Sequence, residues 1–390
     1  MKWKFYSLAF VAGMSILTAC SSDDNNDNDG NGGNGNGNEI ENGTILKGTI
    51  TSDVTLAAGN TYKLSGEYIV EEGATLHIEE GVKIIAVYDD IADYILVKQG
   101  GKINAVGTPD KPIVMTSEKE EPGAWGGIHI CGRAHTNAEG GKGSSEIGGA
   151  VYGGNDDADN SGTLQYIRLE YTGFAFDEEH EANGISFYGV GNGTIVDHCQ
   201  AYKGSDDGFE FFGGSVNVSN LVAVSCSDDS FDWTEGWNGK GTNLVAYQEA
   251  ESTLGYDCDC LMECDNNGSN NAATPVAHPV LKNLILVGNG GSKQGIRLRA
   301  GTEVEIDNAK VCGKGQPLTV ETALTENALK NGTSKLTNIT LTAELSSKEG
   351  IYTHADFIAV TSNKVDANLS YNSFEDIKKE CSWMNGSWVK

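Results

Sequence analysis

Residues 200–214 read QAYKGSDDGFEFFGG and residues 222–236 read VAVSCSDDSFDWTEG. Aligned without a gap, the two segments share an Asp-Asp pair, a Phe and a closing Gly, at an offset of 228 − 206 = 22 residues. A fixed period of this length is typical of solenoid proteins, in which each repeat packs only on its neighbours. The offset is close to one coil of a parallel β-helix.

Weaker copies of the same pattern surround this pair. Residues 183–189 (NGISFYG) match residues 207–213 (DGFEFFG) at an offset of 24, and residues 294–300 (QGIRLRA) repeat the pattern downstream. A second series of short segments shares a column at which we expect stacked side-chain amides at a corner of the coil: Asn220, Asn243 and Asn283.

The composition fits a fold made of short strands and tight turns. The segments are rich in β-branched and aromatic residues and are separated by Gly, Asn and Asp. The chain holds 51 Gly and 6 Pro, which suits turns that need a positive φ without loss of backbone donors. We therefore predict an all-β chain that forms a right-handed parallel β-helix, a solenoid with capping segments at both ends.

The predicted β-helix spans residues 45–320. Its opening strands are expected within residues 48–116, and residues 321–390 are expected to form a C-terminal capping segment. Within that segment the pattern predicts a short helix at 323–330, and the Trp-containing tail is expected to fold back over the last coil.

The first residues indicate export. Two lysines precede an apolar run that is too short to span a bilayer, and the run ends in Leu17-Thr18-Ala19-Cys20, which resembles the lipobox of bacterial lipoproteins. We predict a lipoprotein signal peptide at 1–19 and a Cys20 that carries the acyl chains of a lipid anchor, such as palmitate. A plain secretory signal is the alternative.

Residues 20–44 are predicted to be a flexible acidic tether, because the stretch that follows the cysteine contains only Ser, Asp, Asn and Gly. Its aspartates resemble the signal that sends lipoproteins of Bacteroidota to the outer leaflet of the outer membrane. A solvated spacer without sorting information is the alternative. The resemblance implies an outer-membrane, lipid-anchored and cell-surface-exposed protein.

The net charge excludes a nucleic-acid partner. The chain carries 55 Asp+Glu against 27 Lys+Arg, a formal charge of −28, and loss of Lys2 and Lys4 with the signal gives −28 − 2 = −30. Such a protein repels phosphate backbones, and it suits a divalent cation or a cationic ligand.

Eight cysteines remain besides Cys20, and an oxidising compartment favours disulfides. The cluster Cys258, Cys260 and Cys264 predicts a disulfide-bearing loop. Zinc and free buried thiols are the alternatives, since no His adjoins the cluster and the spacing is not C-x-x-C.

Four segments together resemble one largely uncharacterised family of β-helical surface lipoproteins of Bacteroidota: 100–117 (GGKINAVGTPDKPIVMTS), 122–132 (PGAWGGIHICG), 162–173 (GTLQYIRLEYTG) and 204–214 (GSDDGFEFFGG). Members are often encoded near TonB-dependent outer-membrane receptors. The resemblance implies a binding or accessory role at the cell surface, with such a receptor as the partner, and it implies no reaction. A glycan is the alternative partner.

The alternation of strand residues sends Glu210 and Asp232 outward from two neighbouring coils, with an Asp-Asp pair at the turn before each. Crowded carboxylates repel one another, and a bound Ca²⁺ would compensate them. The D-D-x-x-[DE] spacing also resembles the calcium-binding turn of one β-helical pectate lyase family. The predicted ligands are Asp206, Asp207, Glu210, Asp228, Asp229 and Asp232. The alternative is that the aspartates only shape a turn.

Other outward positions suggest a ligand-binding face. The phase of the strands sends Arg297 outward, and Tyr188 and Phe212 outward or into a turn, so that these residues and Arg299 are candidates for ligand contact. A lyase would need a Lys or Arg base beside the calcium, and Lys203, Lys240, Arg297 and Arg299 lack an identifying motif.

We therefore predict a non-catalytic β-helix that binds a ligand or partner as an accessory to TonB-dependent nutrient uptake. The alternatives are a calcium-dependent polyuronate lyase and an adhesin.

Overall fold

Short apolar runs that end in Gly, Asn or Asp form the strands of this chain, and every strand of the main sheet pairs in parallel with the next coil. The computed structural model describes residues 38–89, 91–176 and 180–390. The architecture is the predicted right-handed parallel β-helix. The predicted signal peptide, Cys20 and most of the tether lie outside the described residues, although the first strand begins at Asn38, within the stretch predicted as tether.

In chain order the strands are β1 (Asn38–Ile40), β2 (Ile45–Ile50), β3 (Val54–Leu56), β4 (Thr61–Val70), β5 (Thr75–Ile78), β6 (Lys83–Ala86), β7 (Tyr94–Val97), β8 (Lys102–Val106), β9 (Ile113–Ser117), β10 (Ile128–Cys131), β11 (Gly143–Ser144), β12 (Val151–Tyr152), β13 (Gly162–Glu170), β14 (Ile185–Tyr188), β15 (Ile195–Tyr202), β16 (Phe209–Phe212), β17 (Asn217–Val224), β18 (Phe231–Thr234), β19 (Lys240–Tyr247), β20 (Met262–Cys264), β21 (Val280–Val287), β22 (Gln294–Leu298), β23 (Glu305–Cys312), β24 (Gln316–Val320), β25 (Lys335–Leu341), β26 (Ser346–Ser347) and β27 (Lys364–Val365). The helices are α1 (Glu251–Leu254), α2 (Ala323–Asn331), α3 (His354–Ala359) and α4 (Phe374–Glu380), with 3₁₀ turns at Glu139–Gly141 and Ser382–Met384. None of the helices in the described ranges has the length and apolar content to span a membrane.

The strands stack into three faces around one apolar interior. The long strands from β13 to β25 bend in the middle, so that their first halves form the first face and their second halves form the second face. Strands β7, β10, β14, β16, β18, β20, β22, β24 and β26 form the third face. The register pairs Phe209 with Phe231 and Ile185 with Phe209, which confirms the offsets of 22 and 24 residues.

Stacked side chains fill the interior. Phe209 lies against Phe231 with ring centroids 5.6 Å apart, and Phe187 lies against Phe211 at 5.1 Å. All four side chains are buried, as the strand phase predicts for the two coils around Glu210. Burial of each such aromatic side chain stabilises the fold by about 1.5–3 kcal/mol, so that each coil is stabilised by its contacts with the neighbouring coils.

A ladder of asparagines marks the corner between the first and second faces. Asn243 donates from Nδ2 to Asn220 Oδ1 at 2.8 Å, Asn283 donates to Asn243 Oδ1 at 3.0 Å, and Asn308 donates to Asn283 Oδ1 at 2.8 Å. Each of these residues has a positive φ, between 55° and 63°. Asn tolerates this left-handed conformation better than most residues, and its amide satisfies a neighbour in the next coil. The predicted amide stack is therefore confirmed.

Replacement of Asn243 by Ala is expected to lower the free energy of unfolding by about 2–3 kcal/mol, because it removes two hydrogen bonds and places Ala in a left-handed conformation. Asn243→Gly removes the same hydrogen bonds without the conformational strain, so its loss should be about 1 kcal/mol smaller. Urea unfolding of both variants measures the difference. Equal losses would mean that the left-handed backbone carries no cost at this corner.

The parallel pairing continues beyond residue 320, the predicted end of the β-helix, into the predicted capping segment 321–390. Strands β25, β26 and β27 still pair with the preceding coils, and α2 forms close to its predicted place. The tail, residues 366–390, does not cover the last coil. It runs back along the second face, where Ile377 and Trp388 pack on the outward-facing Val222 and Val245, because these valines leave an apolar surface to be covered.

Two insertions, residues 133–160 and 265–279, leave the solenoid next to the third face. In the first, Tyr152 lies over Tyr188 with ring centroids 5.1 Å apart, and Tyr188 in turn lies over Phe212 at 4.4 Å. The strand phase predicts that Tyr188 and Phe212 point outward or into a turn and are exposed. That prediction is wrong, since their exposed fractions are 1% and 7%, and the reason is the cover that the first insertion supplies.

The predicted disulfide-bearing loop at Cys258, Cys260 and Cys264 is also wrong. All eight cysteines in the described ranges have free, buried thiols. In a parallel ladder the neighbours of a side chain are set by register, and Cys264 meets Trp233 on one side and Leu298 on the other. The cysteines therefore act as small apolar residues of the packing, and burial raises their pKa.

Candidate functional site: an acidic cavity on the third face

One outward column runs along the third face and carries most of its charge. The register places Ser186 beside Glu210, Glu210 beside Asp232, and Asp232 beside Glu263. The column continues through Arg297 to Thr319. The outward phase predicted for Glu210, Asp232 and Arg297 is therefore confirmed.

In each Asp-Asp turn the side chain of the second aspartate forms a hydrogen bond to the next turn, and that of the first aspartate does not. Asp207 Oδ1 accepts a hydrogen bond from the backbone N–H of Asp229 at 2.8 Å, and Asp229 Oδ1 accepts one from the backbone N–H of Cys260 at 2.6 Å. These two buried carboxylates thus tie three successive turns together, as the turn-forming interpretation predicts. Asp206 and Asp228, the first members of the pairs, make no such link to the next coil.

These turns and the outward column enclose a cavity of about 240 Å³, here called the acidic cavity. It is lined by Glu146, Glu181, Asn183, Asp206, Asp207, Glu210, Asp228 and Asp232. Asn183 and Asp207 are buried at its floor, whereas Glu181 and Asp228 are exposed at its rim. All eight lining residues offer side-chain oxygen atoms.

The structure brings five of the six predicted calcium ligands to the acidic cavity, and Asp229 lies just beyond it. Sequence reasoning missed Glu146, Glu181 and Asn183. Glu146 belongs to the first insertion, whose conformation no repeat predicts. Asn183 was within reach, since it occupies the position of Asp207 in the aligned segment NGISFYG, with an amide oxygen in place of a carboxylate.

The spacing of the oxygens suits a calcium ion. Carboxylate oxygens of Asp206, Asp207 and Asp228 lie within 4.8 Å of one another, and so do those of Asp207, Glu210 and Asp232. Calcium binds oxygen at 2.3–2.6 Å, so that two ligands on opposite sides of one ion are separated by about 5 Å. Each group of three fits within the coordination shell of one ion, and Asp207 belongs to both groups.

Burial and mutual repulsion raise the pKa of the carboxyl groups here. Desolvation is the larger cause throughout, and neighbouring carboxylates add to it. The pKa of Asp206 and that of Glu146 rise to about 7, and the pKa of Asp228 rises to about 6. The pKa values of Asp207, Glu210 and Asp232 are also raised well above the usual range. A cation bound among these groups would favour their ionised form.

Two buried oxygen atoms at the acidic cavity have no hydrogen-bond partner among the described residues: Asn183 Oδ1 and Asp232 Oδ1. Asn183 is 1% exposed, and its Nδ2 donates to Glu210 Oε2 at 2.5 Å and to Ser186 Oγ at 3.0 Å. This arrangement fixes the amide and leaves its oxygen unsatisfied. A buried unpaired acceptor costs about 1–3 kcal/mol, unless a ligand outside the chain binds it.

Two arginines neutralise the carboxylates in the next part of the column. Arg297 Nη1 lies 2.9 Å from Glu263 Oε1 and Arg299 Nε lies 2.7 Å from Asp265 Oδ1, while Arg299 also pairs with Glu263. Arg297 further contacts Glu321. These two predicted ligand-contact residues are therefore engaged in ion pairs within the protein. Among the residues that line the acidic cavity in the described ranges, none is a Lys or Arg.

Comparison with known protein families identifies similar β-helical proteins. A family model described as a pectate-lyase-like beta helix domain matches residues 48–390. No curated protein matches the chain. The crystal structure of the Dettilon tailspike protein (gp208) is similar with 8% sequence identity and a TM-score of 0.31. That match covers 76% of this chain and 56% of the tailspike chain, so that this chain spans little more than half of the tailspike's length.

Proposed function

This chain belongs to the family of pectate-lyase-like β-helix domains, and we propose that it is a calcium-loaded, non-catalytic binding protein of the cell surface. The observation that carries the calcium proposal is the fixed Asn183 amide, whose unpaired oxygen lies among carboxylates in a cavity whose described lining holds no Lys or Arg. The carboxylates that would bind the ion are those of Asp206, Asp207, Glu210, Asp228 and Asp232. The amide oxygen of Asn183 would be a neutral ligand.

The contrast along the column supports this assignment. Where Arg297 and Arg299 neutralise Glu263 and Asp265, the protein supplies its own cations. One coil earlier the carboxylates are as crowded and the described cavity lining supplies none. A divalent cation would neutralise the carboxylates in the first part of the column. Calcium ordinarily binds six to eight oxygen ligands.

The bases available near the acidic cavity favour binding over a lyase reaction. A lyase needs an unpaired Lys or Arg beside the metal to remove the proton α to a uronate carboxyl. Lys203 Nζ is held 2.9 Å from Glu249 Oε2, and both arginines are held by carboxylates. The lyase stays the second candidate because of the family description. Calcium-dependent release of unsaturated products from polygalacturonate, followed by ultraviolet absorbance, would establish it instead.

The location and partner are proposed from the N-terminal sequence. Lipidation at Cys20 would anchor the β-helix to the outer membrane, and the acidic tether would hold it at the cell surface. We place it beside a TonB-dependent receptor as an uptake accessory. Stoichiometric co-purification of such a receptor with the native lipoprotein in mild detergent tests this role. Specific attachment to host or matrix protein without a receptor would favour an adhesin.

Calcium titrated into chelator-treated protein is expected to bind with measurable heat and to raise the melting temperature, because the ion binds only the folded state. Glu210→Gln should weaken the affinity at least about tenfold, since it removes one charged ligand at nearly constant shape. Glu344→Gln, an exposed control outside the cavity, should leave the affinity unchanged. Isothermal titration calorimetry and thermal unfolding provide both measurements.

Two results would refute the calcium proposal. One is the absence of both heat and thermal stabilisation in the unmodified protein. The other is binding that Glu210→Gln and Glu344→Gln weaken equally, because this would show general attraction to an acidic surface. Magnesium is the competing ion in the same experiment, and its need for a tighter octahedral shell predicts weaker binding here.

A further inference from the structure

A second cavity lies at the opposite ends of the third-face strands, between the two insertions. Its volume is about 680 Å³, within the range of small-molecule sites, and it is here called the polar groove. Its lining comes from the first insertion (Asn137, Ala138, Glu139), from the end of β18 (Thr234, Glu235) and from the second insertion (Asn267, Gly268, Ser269, Asn270). It shares no lining residue with the acidic cavity.

Buried amides hold the two insertions together beneath the polar groove. Asn137 Nδ2 donates to Asn266 Oδ1 at 2.8 Å and to the carbonyl of Pro275 at 3.0 Å. Asn267 Nδ2 donates to Asn137 Oδ1 at 3.0 Å. Asn266 is fully buried and also accepts from the backbone N–H of Ala277 at 2.8 Å. This network fixes the floor, so that the groove is formed before any ligand arrives.

Glu235 is the charged residue that is held most firmly in the polar groove. Its Oε2 accepts hydrogen bonds from Thr136 Oγ1 at 2.7 Å and from Tyr152 OH at 2.8 Å. Its backbone has a φ of 53°, a left-handed conformation that costs energy in a residue other than Gly. Both hydrogen bonds are made by Oε2 and Glu235 is only partly buried, so that its carboxylate offers an acceptor at a site whose backbone is already strained.

The lining selects the chemistry of a ligand. Glu139 and Glu235 repel anions, and the nine lining residues include no aromatic or large aliphatic side chain that would suit an apolar ligand. Carboxylates accept from hydroxyl groups, while Asn and Ser side chains both donate and accept. We propose that the polar groove binds a neutral oligosaccharide, whose hydroxyl groups match this mixture of donors and acceptors.

The experiment titrates neutral cello-, xylo-, manno- and malto-oligosaccharides into the intact protein by calorimetry, with oligogalacturonate as the anionic comparison. We expect at least one neutral oligosaccharide to bind, and Glu235→Gln and Asn270→Ala each to weaken it about tenfold or more. Asn270 is exposed on the second insertion, so that its replacement tests the groove even if Glu235→Gln disturbs the fold. Glu344→Gln is the matched control.

Chelation separates this site from the calcium proposal. Neutral oligosaccharide binding is expected to be the same with calcium and with chelator, and in Glu210→Gln, because the two cavities share no lining residue. The proposal is overturned if none of the neutral oligosaccharides binds, if only oligogalacturonate binds, or if neither groove variant alters the affinity.

Discussion

Calcium-free protein is expected to lose thermal stability as the pH rises from about 5 to about 8, and added calcium is expected to restore it. The groups responsible are the carboxyls of the acidic cavity, whose pKa is raised in the folded state, to about 7 for Asp206 and to about 6 for Asp228. In the unfolded chain the same groups titrate near pH 4.

The sign follows from proton binding. Between pH of about 4 and about 7 the folded protein keeps protons that the unfolded chain has released, so that stability is complete below the unfolded pKa and falls as the pH rises through the folded pKa. Asp197 acts in the opposite sense, because hydrogen bonds from Ser219 and Asn220 and the adjacent His198 outweigh its burial and lower its pKa to about 2. Its contribution is lost only as the pH falls through that lower range.

Calcium should reverse the slope, because the ion needs ionised ligands and displaces the remaining protons. Melting curves of chelator-treated protein across this pH range, with and without calcium, measure the effect as a difference of several degrees. Glu210→Gln should flatten the calcium-free slope, while Glu344→Gln should leave it unchanged. A calcium-free melting temperature that is constant or rises over this range would contradict the pKa assignments of the acidic cavity.

Replacement of Trp388 by Ala is expected to lower the free energy of unfolding by about 3–5 kcal/mol, the cost usually found when a buried Trp is truncated. Trp388 is fully buried between the tail and the second face. Its ring centroid lies 5.2 Å from that of His198 and 6.0 Å from that of Tyr166. Loss of the ring would leave a cavity beneath the tail and expose the valine surface behind it.

Trp383→Ala is the matched control, since Trp383 lies in the same tail and is only partly buried. Urea unfolding and the rate of proteolysis of the tail give two independent measurements. Both should change much more in Trp388→Ala than in Trp383→Ala. Equal effects would indicate that the tail adds surface cover without a specific anchor.

The repeats predicted the solenoid and its phase because each coil obeys the same local rule. An alternating strand places Phe209 inside and Glu210 outside in any coil, and parallel stacking then brings Asp232 beside Glu210. The asparagine corner was predictable for the same reason. These features depend only on neighbours one coil apart, which the offset of 22 residues identifies.

The parts that sequence reasoning missed all depend on segments that do not repeat. The first insertion buries Tyr188 and Phe212 and brings Glu146 to the acidic cavity, and no periodicity shows where it folds. The tail was expected at the end of the solenoid, yet the apolar outward positions Val222 and Val245 indicated a covered second face. The disulfide prediction rested on an oxidising compartment and an even number of cysteines. The strand register, however, decides which side chains are in contact.

The path of the tail also bears on the order of events during biosynthesis. Coils of a solenoid can stack one after another as the chain is made, since each needs only the preceding coil. The contact from the backbone N–H of Ser387 to the carbonyl of Pro109, at 2.7 Å, joins residues 278 positions apart in the chain. It can form only after the residues up to Ser387 have been synthesised. Until then the valines of the second face lack this cover, so that docking of the tail is a late step of folding.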